Sequence, residues 1–271
     1  MVKMGVHHIR VHTVFTTAYF QKGPLVKEPE GASLDIVYRP VWDTSRTGVD
    51  LFYARPILRD EAGEMLPGMT PLVRQPTVEG TLQRQIQYLS QAIEALRLRF
   101  GRGERFRLLV RINSVALATS EAAGEVTDVL RTLNAEERAH IVPEIIDFPK
   151  SLSLNTLDDI TIPLMAFFDT WIARPEKEQA DFTPFANLNY SGVTLDLLDT
   201  PMDLKLAGKV FKLFIQRSSH RRLPTWILGL PTPELAKLAR ISGANMLAGA
   251  YMDRDSVLPG PAVEGDEPFM V

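Results

Sequence analysis

A chain of 271 residues, 45% of them apolar, is long enough to bury a sizeable core as one α/β domain. Thirty basic against thirty-three acidic residues leave a formal charge of −3, so no global field draws the protein onto nucleic acid or an acidic membrane surface. The absence of cysteine excludes disulfides, zinc thiolate sites and cysteine nucleophiles.

No apolar run reaches the roughly 20 residues that a membrane span requires. The opening MVKMGVHHIRVH lacks the apolar core of a signal peptide. Together with the missing cysteines, this leads us to expect a cytoplasmic protein.

Residues 1–33 are expected to form an irregular extension, in which VHHIRVHTVFTTAYF has strand character and QKGPLVKEPEGAS reads as a connector. His8 and His12 stand four apart, but no nearby carboxylate completes a metal site and the flanking Val and Thr favour a strand, so no metal site is assigned there.

Strands are expected over 34–42 and 49–57, joined as a hairpin by a turn built on Asp43, Ser45 and Gly48. Pro67, Pro71 and Pro76 break residues 59–80 into an irregular excursion. Leu82, Ile86, Leu89, Ile93, Leu96 and Phe100 recur at spacings of three and four, which predicts a helix closed by Gly101 and Gly103. An apolar strand follows at 107–113, then a helical pattern over 116–133 and a strand over 140–148. The amphipathic stretch 158–173 ends in a strand near 171–173. A strand at 190–197, a helix face of Met202, Leu206, Val210, Leu213 and Phe214, a strand at 225–230, a helix at 233–241 and a last short strand within SGANMLAGAYM complete the pattern. Residues 253–271, acidic and rich in proline, are expected to be a mobile tail.

Strands alternating with helices predict a parallel sheet covered by helices, either an open doubly wound sheet or a closed barrel. No G-x-G-x-x-G or P-loop follows any strand, which favours the barrel. Chemistry in such a barrel gathers at the carboxyl ends of its strands.

In that order the chain resembles an EAL domain, the bacterial cyclic di-GMP phosphodiesterase barrel, over residues 34–252. Tyr38-Arg39-Pro40-Val41 matches the family's Y-Q-P-I, and Tyr53-Ala54-Arg55 falls at E-A-L. Val110-Arg111-Ile112-Asn113 lies at V-N-L-S, Pro143-Glu144-Ile145-Ile146-Asp147 at L-E-I-T-E, and Val193-Thr194-Leu195-Asp196 at L-K-I-D. The paired D-D falls on Ala173-Arg174, E-G-V-E on Leu228-Gly229-Leu230-Pro231, and Q-G-Y on Ala248-Gly249-Ala250. The resemblance implies a (β/α) TIM-like barrel and, in family members, phosphodiester hydrolysis with two divalent cations held by oxygen ligands.

Carried over residue by residue, the family's functional positions hold Tyr53, Arg111, Glu144, Ala173, Arg174, Thr194 and Leu228, of which Glu144 alone is retained. One carboxylate does not hold two cations, and Arg111 and Arg174 add positive charge there. A register slip of two residues would bring Asn113 into the amide position without completing the set. No catalytic residue, metal or cofactor is therefore assigned.

Arg39, Arg55, Arg111 and Arg174 are candidates to converge on the barrel mouth, with Glu144, as a phosphate-binding set. The plainer expectation pairs Arg111 with Glu144 and leaves the other arginines solvated or salt-bridged. The basic clusters at 97–111 and 217–222 adjoin helix C-termini, which accounts for them structurally. Ser219-His220 and Ser242-Gly243 lack a nucleophile elbow.

The resemblance and its losses lead to an expected regulatory protein acting through a protein partner. Alternatives are a non-hydrolysing receptor for cyclic di-GMP or another phosphorylated ligand, and an enzyme on an unrelated (β/α) barrel with Glu144, Asp147 and Asp196 as acid and base.

Overall fold

The computed structural model describes residues 31–46, 48–66, 77–149, 152–175, 181–199, 201–251 and 256–260. The expected extension at 1–33, with His8 and His12, lies outside the described residues apart from its last three. So do Pro67, Pro71 and Pro76 and most of the tail.

Eight strands close into a barrel in sequence order. Strands β1 (Ser33–Asp43) and β2 (Leu51–Arg59) form the expected antiparallel hairpin, registered Arg39↔Tyr53 and Val37↔Arg55. Its turn starts at Asp43, whose carboxylate accepts from the Ser45 amide at 2.9 Å and hydroxyl at 2.6 Å. From β2 onward the neighbours are parallel: β3 (Arg107–Asn113), β4 (Ile141–Ile146), β5 (Trp171–Ala173), β6 (Tyr190–Asp196), β7 (Thr225–Leu230) and β8 (Met246–Gly249). Strand β1 closes the ring antiparallel to β8. Being covered on both faces, β4 and β7 are apolar almost throughout, and in β3, β4 and β7 nearly every residue is buried.

Helix α1 (Val78–Phe100) begins where the Thr77 side chain accepts from the Gly80 amide, and it buries Leu82, Leu89, Ile93 and Leu96 against the sheet. Ile86 and Phe100 lie at the margin of that contact, partly buried.

The pattern over 116–133 is two pieces, a 3₁₀ turn Ser114–Leu117 and helix α2 (Ser120–Arg131). Asn113 caps the first through the Val115 amide, and Thr119 starts the second through Ala122. The strand expected over 140–148 is confined to β4, because an Asn134–Glu137 capping box opens a short helix α3 (Ala135–Ala139) that ends at His140. The stretch 158–173 likewise divides into α4 (Leu154–Thr161), a 3₁₀ turn Ile162–Leu164 containing Pro163, and β5.

After α5 (Thr183–Ala186) and β6 comes α6 (Leu204–Ser219), where the expected face needs correction. Leu206 and Leu213 are 53% and 49% exposed, whereas Ala207, Phe211, Phe214, Ile215 and Ser218 face the core. Two of the docking residues are small: Ala207 is fully buried, and the Ser218 hydroxyl lies 2.5 Å from that of Thr225 on β7. Helix α7 (Pro233–Ile241) spans the predicted range.

Residues 256–260, within the stretch expected to be a mobile tail, pack on the barrel. Ser256 pairs with Tyr38 through both backbone groups, at 2.8 and 3.0 Å, and the Pro259 carbonyl accepts from Arg99 Nε at 2.6 Å. Among the described residues, no helix is long and apolar enough to cross a membrane.

Candidate functional site

Val41, Leu51, Tyr53, Leu109, Ile172, Trp226, Leu228 and Ala248 form a cluster separate from the outer core. They come from β1, β2, β3, β5, β7 and β8, so the place where they meet is the barrel lumen. Gly192 makes room there: a Cβ at this position would lie 2.8 Å from the Trp226 indole nitrogen and 2.9 Å from the Pro224 carbonyl. The lumen is thus filled with side chains, as in other small barrels.

Arg111 sits among them, 1% exposed. The register of β3 on β4 sets it opposite Glu144, while Asn113 faces Ile146, so the two-residue slip does not occur. Arg111 Nε donates to Glu144 Oε2 at 2.7 Å and Nη2 to Asp196 Oδ2 at 2.5 Å, and the guanidinium lies over the Tyr53 ring at 4.4 Å. Arg174, just past β5, donates to the same Asp196 oxygen at 2.9 Å. Two guanidiniums and two carboxyl groups therefore make a quartet, with Arg111, Glu144 and Asp196 buried and Arg174 partly buried.

Burial pushes the Asp196 carboxyl up, but Arg111, Arg174 and the Leu198 amide outweigh it and hold its pKa down to about 2. Burial works against the Arg111 charge in the same way, yet Tyr53, Glu144 and Asp196 keep its pKa well above the ordinary arginine value. The Tyr53 phenol is driven up by burial, with Arg111 offsetting only part of the effect.

A second cluster lies at the mouth. Arg39 Nη1 meets Asp199 Oδ1 at 2.6 Å and Arg55 Nη2 meets Asp199 Oδ2 at 3.1 Å, so one carboxylate bridges β1 and β2. Asp199 is placed by a strained turn in which Leu198 and Asp199 both have positive φ, 54° and 55°. The turn is held by the Leu198 amide on Asp196 Oδ1 at 2.8 Å and the Asp199 amide on the Gly229 carbonyl at 3.0 Å. Gly229 is needed on two counts: its φ is +66°, and a Cβ would lie 2.5 Å from the Leu198 nitrogen and 2.6 Å from Asp196 Oδ1.

The structure thus brings Tyr53, Arg111, Glu144, Arg174, Thr194 and Leu228 to the lumen, and Arg39 and Arg55 to its mouth. Ala173 is not among them, because it packs in the outer core. Asp147, at positive φ, joins Asn113 at 2.8 Å instead of the quartet. Ser219 and His220 are exposed at the end of α6. Sequence reasoning missed Asp196 as a partner of both arginines, although its place two residues after Thr194 sets it on the same strand face. Asp199, on a loop, carried no comparable signal.

No family model matches this sequence and no curated protein matches it. Solved structures do. The EAL enzyme Bd1971 in its cAMP-bound form superposes with a TM-score of 0.61 at 12% identity, over 83% of this chain and 64% of that one. The fold is that of an EAL domain. The PaMucR phosphodiesterase in its c-di-GMP complex gives a TM-score of 0.59 at 15% identity, covering 82% of this chain and 96% of that one. The Xanthomonas citri FimX EAL domain in complex with c-di-GMP gives 0.59 at 14%, covering 84% and 88%. The chain spans less than two thirds of the Bd1971 chain. At these identities the likeness to EAL domains is one of fold.

The donor set of the lumen does not suit a pair of divalent cations. Glu144 and Asp196 are both committed to guanidiniums, and among the described residues no group of three or more His, Cys, Asp or Glu is arranged to hold a metal.

Proposed function

We propose that this chain is a non-hydrolysing EAL-fold regulatory protein of cytoplasmic c-di-GMP signalling, acting through contact with another protein. The observation that carries the reading is Arg111, seated between Glu144 and Asp196 at 2.7 and 2.5 Å, so that a fixed side-chain cation takes both carboxylates. Phosphodiester cleavage by metal-activated water needs those oxygens for metal. Half-exposed Leu206 and Leu213, one turn pair apart on α6, with Ile241 of α7 73% exposed, supply apolar surface for a partner. The test is incubation with c-di-GMP and magnesium or manganese, with products read by chromatography. No turnover is expected, and steady release of linear dinucleotide overturns the reading. Crosslinking in cells should trap a stoichiometric protein partner.

One observation favours a second reading, a receptor that binds without cleaving. The Arg39–Asp199–Arg55 bridge shows the mouth arginines already gripping an anion, and a ligand phosphate that displaced Asp199 would meet both. Arg111, Glu144 and Arg174 would then form the floor of the site. Magnesium-independent thermal stabilisation by c-di-GMP, lost in Arg55→Ala, distinguishes this receptor from a pure interaction protein.

A further inference from the structure

The formal charge of −3 is not spread evenly along the chain. Residues 204–222, from the start of α6 to the turn after it, hold six basic residues and no aspartate or glutamate. Lys205, Lys209 and Lys212 are exposed, as is Lys237 on α7, and among the described residues none of these four has a carboxylate partner. Of the arginines that follow, Arg221 lies 3.6 Å from Asp181. The basic surface around the start of β3 is built differently, since Arg97, Arg99, Arg105 and Arg107 are matched by Glu137, Glu104, Glu136 and Asp50 in turn. Spacing lays the unmatched charges beside the exposed aliphatics. Lys205, Lys209 and Lys212 run along α6 at intervals of four and three, and Leu206, Val210 and Leu213 run in the adjoining row. Helix α7 lies alongside: a Cβ on Gly208 would lie 3.7 Å from Leu238, and one on Gly243 3.7 Å from Ile215. These two contacts bracket the exposed Ile241, so it emerges, with nearby Lys237, next to α6.

We propose that the outward face of α6 and α7 docks on an anionic lipid surface. Leu206, Leu213 and Ile241 enter the headgroup layer, and Lys205, Lys209, Lys212 and Lys237 meet the lipid phosphates. Charge complementarity decides for an acidic occupant, and two features decide for lipid over an acidic protein. Lysine is depleted at protein interfaces, which favour the fixed fork of arginine, whereas its flexible stem suits mobile phosphates and lies along apolar surface while the amine stays in water. The aliphatics also interleave with the charges, where a protein interface would gather them into an apolar core with a polar rim. A helix of 16 residues, about 24 Å long, with lysine and leucine on its outer side is the form that lies in a membrane interface. The opposite face of α6 is already fixed in the core by Ala207, Phe211 and Phe214, so the helix docks as it stands. This inference goes beyond the proposed function, which requires no lipid, and it holds whether or not c-di-GMP is bound or cleaved. A protein seated on this same face is the competing outcome.

The experiment is co-sedimentation of the full chain with vesicles of phosphatidylcholine alone and of equimolar phosphatidylcholine and phosphatidylglycerol. The protein is expected to sediment with the anionic vesicles only and to be released by molar sodium chloride, which screens the lysines. Each of Lys205→Gln, Lys209→Gln and Lys212→Gln should weaken partitioning roughly five-fold, the effect of one basic residue at an anionic surface. Leu206→Ser with Leu213→Ser should weaken binding at every salt concentration, because it removes the inserted aliphatics and leaves the charges. These side chains are exposed, so the variants keep the fold. Removing as many charges elsewhere, with Arg102→Gln, Arg105→Gln and Arg131→Gln, should leave vesicle binding as in wild type. Failure to sediment with anionic vesicles overturns the proposal, as does equal binding to both vesicle types. Equal loss from the two sets of charge variants overturns it too, since net charge rather than this face would then be responsible. A photocrosslinker at position 213 that traps a protein in cells, in a chain that ignores anionic vesicles, assigns the face to a protein partner instead. Turnover of c-di-GMP would overturn the proposed function and leave this inference standing.

Discussion

The side-chain amide of Gln85 is bonded into the edge of β3 at Arg111: its Nε2 donates to the Arg111 carbonyl at 2.8 Å, and its Oε1 accepts from the next amide along that edge, Asn113, at 2.8 Å. Tyr88, one turn on, donates to the Ala54 carbonyl at 2.7 Å and accepts from the Arg111 amide at 3.1 Å. Strands β2 and β3 pair only over Leu51–Tyr53 with Arg107–Leu109, so beyond Tyr53 the ladder opens, and two side chains of α1 take the place of the missing strand bonds. The backbone that aims Arg111 into the lumen is therefore fixed from outside the sheet. Gln85→Leu leaves one buried carbonyl and one buried amide without partners. It is expected to lower unfolding free energy by about 2–4 kcal/mol, read by urea denaturation. Gln85→Glu, which keeps the acceptor and loses the donor, should cost as much or more, and wild-type stability in either variant would contradict the assignment.

Acid should undo the quartet. The Asp196 carboxyl has a folded pKa of about 2, below its unfolded value of about 3.9. Its contribution to stability is thus fully present above about pH 4 and is lost as pH falls from there through 2. The size is about 2–3 kcal/mol for a shift of about two units at about 1.4 kcal/mol each. Urea midpoints measured between pH 7 and 2.5 should fall most steeply in that lower window. Asp196→Asn should flatten the slope while lowering stability at neutral pH. An unchanged slope in Asp196→Asn would assign the acid sensitivity elsewhere.

The strained turn after β6 gives a rank order. Leu198 is half-exposed with φ of 54°, so its side chain adds little packing, while its Cβ opposes the left-handed backbone. Stability should follow Gly > Leu > Val at position 198 over a span of about 1–2 kcal/mol, since a β-branched residue tolerates positive φ least. Thermal unfolding of the three proteins measures it, and a reversed order would mean that packing of Leu198 outweighs its backbone cost.

Gly192→Ala tests how full the lumen is. The added methyl meets the Trp226 indole at 2.8 Å and the Pro224 carbonyl at 2.9 Å, and the carbonyl belongs to backbone that does not swing away. A loss of about 1–3 kcal/mol is expected, together with a shift in tryptophan fluorescence. A silent substitution would indicate free space beside Trp226.

These relationships differ in how far the chain announces them. The Arg111–Glu144 contact could be anticipated because both residues lie on consecutive parallel strands, where the register follows from the hydrophobic pattern. The EAL-type barrel was legible for the same reason: alternating strand and helix periods persist through most of the chain. Asp199 was hidden because a loop has no period, and its position depends on two left-handed residues and the close approach of Gly229. Gln85 and Tyr88 were hidden because polar residues on a core-facing helix look like interruptions of the stripe until their backbone partners are seen. The buried face of α6 was misread because Ala207 and Ser218 allow close approach without adding to an apolar count, whereas Leu206 and Leu213 add to the count and face outward.

The contact between Ser256 and Tyr38 bears on how the ring stays shut. Strand β1 meets β8 through only Trp42 and Asp43, a seam two residues long, and farther along the same strand Ser256 occupies the hydrogen-bonding groups of Tyr38. Pro40, between them, has no amide to offer. Cutting the chain before Ser256 would uncover this stretch as a raw sheet edge, so the truncated barrel should self-associate edge to edge where the intact one stays sealed.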